Sequence, residues 1–197
     1  AYWTDDTITK PEDLSALRAR MEASRKQHAQ ERAKDAQNAA KKAKAIIKQS
    51  RIEQHAYLDS KSFKDAVGLV YYPDEDTNLL VIPMEIAGDV VGCQLIDRFG
   101  EKKFLRGQSS MGAEHVIGNG GVDVWVEGYA TGLSVHAVLA ALKAPCRVHV
   151  CFSACNLTRL AKEAVKGFVV ADHDKVNPTT GLRAGHEAAR AVTLPVW

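Results

Sequence analysis

From position 122 onward the chain changes period, and this change constrains the fold more than any bulk property does. Short apolar runs at 123–126, 147–152 and 168–171 alternate with stretches whose apolar residues recur at three- and four-residue steps. The middle stretch shows this best: Leu157, Leu160, Ala161, Ala164 and Val165 fall on one side of a helix, with Asn156 placed to cap it. Strands that alternate with such helices predict right-handed βαβ units and a mainly parallel sheet with flanking helices. The run at 192–196 predicts one more strand, and Pro195, which has no N–H to donate, confines it to an edge.

The preceding segment, 52–121, has a different pattern. It opens on a short polar helix or turn, and then apolar or alternating runs appear at 79–84, 90–96 and 103–105. Gly88-Asp89 separates the first two as an acceptable hairpin turn, and 98–101, with Gly100, separates the last two. This predicts a small antiparallel β-rich lobe. Before it, positions 9–50 contain no Gly, and their single Pro is at position 11, where the first turn of a helix accepts it. Thr9 can cap, Glu12 and Asp13 suit the positive end of the dipole, and Ala, Lys, Arg, Glu and Gln dominate the remainder of the stretch. A continuous helix of about 39 residues would run about 58 Å at 1.5 Å per residue. Its apolar positions are few (Leu14, Leu17, Met21, Ile46, Ile47), so it is expected to pack along only part of its length. The chain thus divides into three zones: a long charged helix or linker at 1–51, the β-rich lobe at 52–121, and the α/β segment at 122–197.

The net charge of +2, from 26 basic and 24 acidic residues, does not by itself point to a polyanionic partner. A local cluster does exist. Lys41, Lys42, Lys44, Lys48 and Arg51 occur with no acid between Asp35 and Glu53. This run reads first as a solvated helix face with cations favourably near the C-terminus, and second as a patch for nucleic-acid phosphates. Hydrophobic residues at 46% and charged residues at 25% are ordinary for a soluble globular protein. No apolar run approaches the roughly 18 residues of a bilayer span, so no membrane partner is expected, and no signal-peptide pattern opens the chain. Cys93, Cys146, Cys151 and Cys155 form no C-x-x-C pair and read mostly as small buried thiols, which fits a cytoplasmic setting. A start at Ala1 and a stop at Trp197 fit a piece of a longer protein.

Ligands of parallel sheets bind beyond the carboxyl ends of the strands, and two acidic features fall there. The run 124–126 leads into Glu127-Gly128, and the run 169–171 leads into Asp172-His173-Asp174. In an extended segment both aspartates point to one side and His173 to the other. Three carboxylates on one rim repel unless a cation joins them, and hard oxygen ligands suit Mg²⁺ or Mn²⁺. An unrelated α/β sheet with acidic loops would give the same residues without the site.

Val126-Glu127-Gly128-Tyr129 followed by Asp172-His173-Asp174 resembles the TOPRIM domain of bacterial-type primases, topoisomerases and some nucleases. The chain more specifically resembles the primase domains of plasmid and phage replication proteins. Glu127-Gly128-Tyr129-Ala130-Thr131 is similar to their first motif. The run from Asn78 to Pro83, Gly92, and Lys103-Phe104-Leu105-Arg106-Gly107 resemble the lobe before TOPRIM, and His55-Ala56-Tyr57-Leu58 a motif further upstream. The resemblance covers roughly 52–197 and implies a DNA primase catalytic core, a nucleotidyltransferase that makes short RNA primers from ribonucleoside triphosphates on a single-stranded DNA template. It also implies Asp172 and Asp174 as ligands of Mg²⁺ or Mn²⁺, and Glu127 as a further ligand or the acid/base group. Lys103 and Arg106 are candidates for holding phosphates, although Lys103 reads equally as an exposed strand lysine. Asn78 is a candidate for orienting the nucleotide. Lys175 would bind phosphate or neutralise the acidic loop. Thr131 stands where cellular primases usually carry another aspartate, and Ile96-Asp97 where they place Gly-Arg. A replicative helicase or further domains of the same polypeptide are expected partners. The alternatives are a TOPRIM nuclease, which would use the same carboxylates to activate water, and a non-catalytic nucleic-acid-binding replication module.

Overall fold

The computed structural model describes residues 11–172 and 184–197. The fold is mixed α/β, with a five-stranded antiparallel sheet and a four-stranded mixed sheet. A 39-residue helix, α1 (Pro11–Gln49), leads into the first sheet. Only its C-terminal part, from Asp35 onward, is packed. Ala39, Ala43 and Ile46, spaced by four and three residues, are buried against Val81, Cys93 and Leu105. Every residue from Leu14 to Asp35 is exposed.

The first sheet is a meander of β1 (Arg51–Glu53), β2 (Gly68–Tyr71), β3 (Leu79–Ile86), β4 (Asp89–Ile96) and β5 (Lys102–Phe104), with α2 (Ala56–Ser60) between β1 and β2. The β3–β4 turn lies one residue earlier than Gly88-Asp89. Ile86 pairs with Asp89, and the two turn residues are Ala87 and Gly88, both at positive φ (51° and 85°). A two-residue hairpin whose twist matches its strands needs positive φ at both positions, so Asp89 belongs to the strand. Alternation divides the sheet. Leu80, Ile82 and Ile96 face the second sheet, while Val81, Cys93 and Leu95 face α1.

The second sheet has the order β6–β8–β7–β9, from β6 (His115–Ile117), β7 (Val122–Val126), β8 (Cys146–Val150) and β9 (Phe168–Val170). The last three are mutually parallel, and β6 runs antiparallel along the β8 edge. The chain leaves β7 through α3 (Tyr129–Ala141) to β8, then crosses back over β7 through α4 (Ala154–Ala161) to β9. Right-handed crossovers in opposite directions put the two helices on opposite faces. Val124 and Val126 share one core with Leu133 of α3 and with Leu80 and Ile82 of the first sheet. Trp125 shares another with Leu157 and Ala161 of α4 and with Ala189 of α5 (Ala184–Arg190). The C-terminal segment lies along β9, with Val196 beside Val169, at the edge where Pro195 needs no N–H partner.

Asn156 does not cap α4. Ser153 does, accepting from the Asn156 N–H, and Asn156 turns inward. Its side-chain amide donates to the carbonyls of Ala113 (2.7 Å) and Cys151 (2.8 Å) and accepts from Gly112 N–H (2.7 Å). It therefore ties the segment leaving the first lobe to the end of β8. Cys93, Cys146 and Cys151 are buried and Cys155 is exposed, all as free thiols. Among the described residues, no helix is long and apolar enough to cross a membrane.

Candidate active site

β7 and β9 are neighbours in register, Val126 beside Val170. Glu127 and Asp172 therefore emerge at adjacent carboxyl ends. The connection after β7 goes to one face of the sheet and α5 after β9 packs on the other, and crevices open at such switch points. Glu127 and Asp172 are both partly buried there.

The Asp172 carboxylate has two different sides. Thr131, in the first turn of α3, donates its hydroxyl to Asp172 Oδ1 at 2.9 Å. Oδ2 turns toward Gly128, the N-cap of α3, which has no side-chain cap of its own. A β-carbon on residue 128 would lie 3.7 Å from Thr131 Oγ1, 3.8 Å from Asp172 Oδ2 and 4.0 Å from Lys102 Nζ. Three polar tips thus converge on the space that the glycine leaves open, above the positive end of a 13-residue helix. Thr131 adds no charge here but holds an existing carboxylate in one orientation.

Lys102 reaches this space from the other lobe, and strand register explains why. In the β4–β5 pair, Ile96 faces Lys102, Leu95 faces Lys103 and Gln94 faces Phe104. Paired residues share a face, so Lys102 and Phe104 point with Ile96 toward the second sheet, and Lys103 points with Leu95 toward α1. Phe104 meets Phe152, just beyond β8, edge to face at 6.4 Å. Phe152 N–H in turn donates to the Glu127 carbonyl (2.8 Å). The turn before β5 sets this phase. Asp97 Oδ1 accepts from Phe99 N–H and Glu101 N–H, both at 2.9 Å, and Gly100 takes φ 89°.

The expected phosphate ligands are therefore placed differently. Lys103 lies on the α1-facing side and is paired with Glu101 at 3.2 Å. Arg106 is exposed in the turn after β5, which presses on α1 so closely that a β-carbon at Gly107 would be 2.8 Å from Asp35 Cβ. Lys103 is turned from the acidic rim because alternation gives one residue in two to each face. Asn78 lies just before β3, beside His55. Buried His55 caps α2 by accepting from Tyr57 N–H. Burial lowers its pKa, with Asn78 acting in the opposite sense. Lys41, Lys42, Lys44, Lys48 and Arg51 are exposed on α1 and β1. Asp174, Lys175 and His173 lie outside the described residues. Among the described residues, no group of three or more His, Cys, Asp and Glu is placed to hold a metal. The donors present, Glu127 and Asp172, suit an ion that keeps part of its water and takes the rest of its shell from phosphate oxygens.

Two histidines acquire environments that their sequence positions did not indicate. His115 packs edge to face on Tyr129 at 5.7 Å, and burial pushes its pKa down to about 4. His149 stacks on Trp125 (5.0 Å) while its ring nitrogens meet Glu114 at 2.8 Å and Asp123 at 3.1 Å. Asp123 also accepts a two-pronged bond from Arg147. Burial disfavours the His149 imidazolium most strongly, but the two carboxylates together outweigh it and the pKa is raised. A raised folded pKa contributes stability that is complete below the unfolded value of 6.5 and is lost as pH rises through the folded value. Urea midpoints of the wild type are thus expected to fall above pH 6.5 relative to His149→Gln. Parallel profiles for the two proteins would refute this linkage.

No family model and no curated protein matches the sequence. Among solved structures, the chain is similar in course to one from a bacteriophage T7 complex: the lagging-strand DNA polymerase interacting with primase domains of two gp4 subunits bound to an RNA/DNA hybrid and dTTP. The identity is 16%, the TM-score is 0.48, and the likeness covers 75% of this chain and 78% of that one.

Proposed function

We propose that this chain is the catalytic core of a TOPRIM-type DNA primase that joins ribonucleotides on a single-stranded DNA template. The observation that carries the reading is the convergence of Asp172 Oδ2 and Lys102 Nζ on the open space at Gly128, beside Glu127. A carboxylate and a lysine from opposite lobes make a cleft with an acidic floor and a cationic roof. This pairing of charges suits a triphosphate, whose negative charge needs both a bound cation and a direct cationic contact.

Asp172, Glu127 and Asp174 are the residues proposed to hold Mg²⁺ or Mn²⁺. The metal, when bound, neutralises the phosphates and stabilises the charge that develops as the phosphodiester forms. Thr131 keeps Asp172 Oδ1 occupied, so that Oδ2 is the oxygen offered to the cleft. Lys102 contributes a fixed positive charge opposite it. Glu127, at the neighbouring strand end, is the residue proposed to take the proton from the attacking 3′-hydroxyl or to complete the ligand set.

The test is synthesis of labelled primers on single-stranded DNA with ribonucleoside triphosphates and Mn²⁺. Activity is expected that EDTA abolishes, excess Mn²⁺ restores, and Asp172→Ala/Asp174→Ala lacks. Metal-dependent cutting of DNA without synthesis would instead assign the site to a nuclease.

A further inference from the structure

The charge of this chain is distributed unevenly. Positions 14–51 hold eleven Lys and Arg against three Asp and Glu, a local net of +8 in a chain whose total is +2. Within this stretch, the side of α1 that packs on the sheet is marked by Ala39, Ala43 and Ile46. Lys34, Lys41, Lys44 and Lys48, at steps of seven, three and four, fall together on the opposite side. All four are exposed, and no ion pair within 4.0 Å involves them among the described residues. The stripe runs about 21 Å along the helix axis at 1.5 Å per residue.

We infer that this outward face of α1 is a docking surface for the sugar-phosphate backbone of a nucleic-acid duplex. A straight row of cations on a rigid helix matches a rigid, evenly charged rod, one strand of which presents a phosphate every 3.4 Å or so. Unpaired strands are held differently, by stacking on aromatic side chains, and no Phe, Tyr or Trp occurs between positions 14 and 51. A membrane-surface helix needs a free apolar face flanked by its lysines. Here the face behind the stripe is buried in the protein, and the exposed Leu14, Leu17 and Met21 lie on that same far side, a long way along the helix. The contact is to backbone only and carries no sequence preference. It lies on the α1 side of the first sheet, away from Asp172, so it stands independently of the catalytic reading.

The experiment is fluorescence anisotropy of a labelled 24-base-pair duplex over a range of NaCl concentrations, comparing wild type with Lys34→Gln/Lys41→Gln/Lys44→Gln/Lys48→Gln. The slope of log affinity against log salt is expected to flatten by about 3 to 4, at roughly 0.9 per lost phosphate contact, with at least about tenfold weaker binding at 100 mM salt. Lys166→Gln, an exposed lysine outside the stripe, is expected to bind the duplex as wild type does. Thermal melting of the quadruple variant should match wild type, because the four side chains are exposed and in no ion pair among the described residues; if it melts early, the single variants Lys41→Gln and Lys48→Gln, each flattening the slope by about 1, decide the matter. An unchanged slope would overturn the inference. So would an equal loss from Arg18→Gln/Arg25→Gln/Arg32→Gln, stronger binding to a single strand that is insensitive to the lysines, or lysine-dependent binding to phosphatidylserine vesicles with none to the duplex.

Discussion

Lys102→Ala is expected to lower primer synthesis by about two to three orders of magnitude, the usual loss when one aligned charge is withdrawn from a developing anion. Lys103→Ala, one residue away, should stay within about threefold of wild type, because its ammonium lies on the α1-facing side and makes an exposed pair with Glu101, worth little in any context. Asp172→Ala should match or exceed the Lys102 loss, since it removes the carboxylate that Thr131 orients. The contrast between adjacent lysines is the informative part. A general loss of basic charge would affect both equally, whereas a cleft built by register affects one. Single-turnover rates with a preformed primer separate this from template binding. Equal effects at the two lysines, or none at Lys102, would refute the cleft as described.

Asn156→Ala should be the most destabilising single change outside the apolar core. Its side chain serves the carbonyls of Ala113 and Cys151, both in fully buried residues, and the Gly112 N–H. Truncation orphans all three, and each buried polar group left without a partner costs about 1–3 kcal/mol. Part of the vacated space can take water, so a net loss of about 3 kcal/mol is expected. With a urea slope of about 2 kcal/mol per molar, the midpoint should fall by roughly 1.5 M. The loss has a functional consequence as well. Asn156 joins the exit of the first lobe to the end of β8, and Phe152, next to that end, packs against Phe104 of β5. Activity should therefore fall in the variant even at temperatures where it stays folded. A midpoint shift below about 0.3 M would show that the three bonds are replaced at no cost.

Much of the architecture was readable from local pattern. The 39-residue helix follows from a stretch without Gly whose one Pro sits at the start, and its partial packing follows from its few apolar positions. The strands near 79, 90, 123, 147 and 168 follow from short apolar runs, since a strand buried on both faces needs no alternation. Three shorter strands, β1, β2 and β6, carried too little pattern to be read singly; β1 is mostly exposed, and the three are defined by their partners. The hairpin turn was displaced by one residue because Gly88 marks the turn but not its position within it. Asn156 looked like a cap because capping residues are also the residues that serve buried carbonyls.

The sequence alone determined that Glu127 and Asp172 stand at strand ends, because an apolar run that stops at an acid marks both the strand and its rim. It also determined which residue types could attend them. The tertiary structure decided which lysine does. Side chains on a strand alternate, so adjacent residues 102 and 103 go to opposite faces, and the choice depends on pairing with β4 and on the length of the Asp97–Gly100 turn. It likewise decided that His149 lies between two carboxylates 26 and 35 positions away in the chain. Contacts at such separations depend on strand order and register, which local periodicity does not encode.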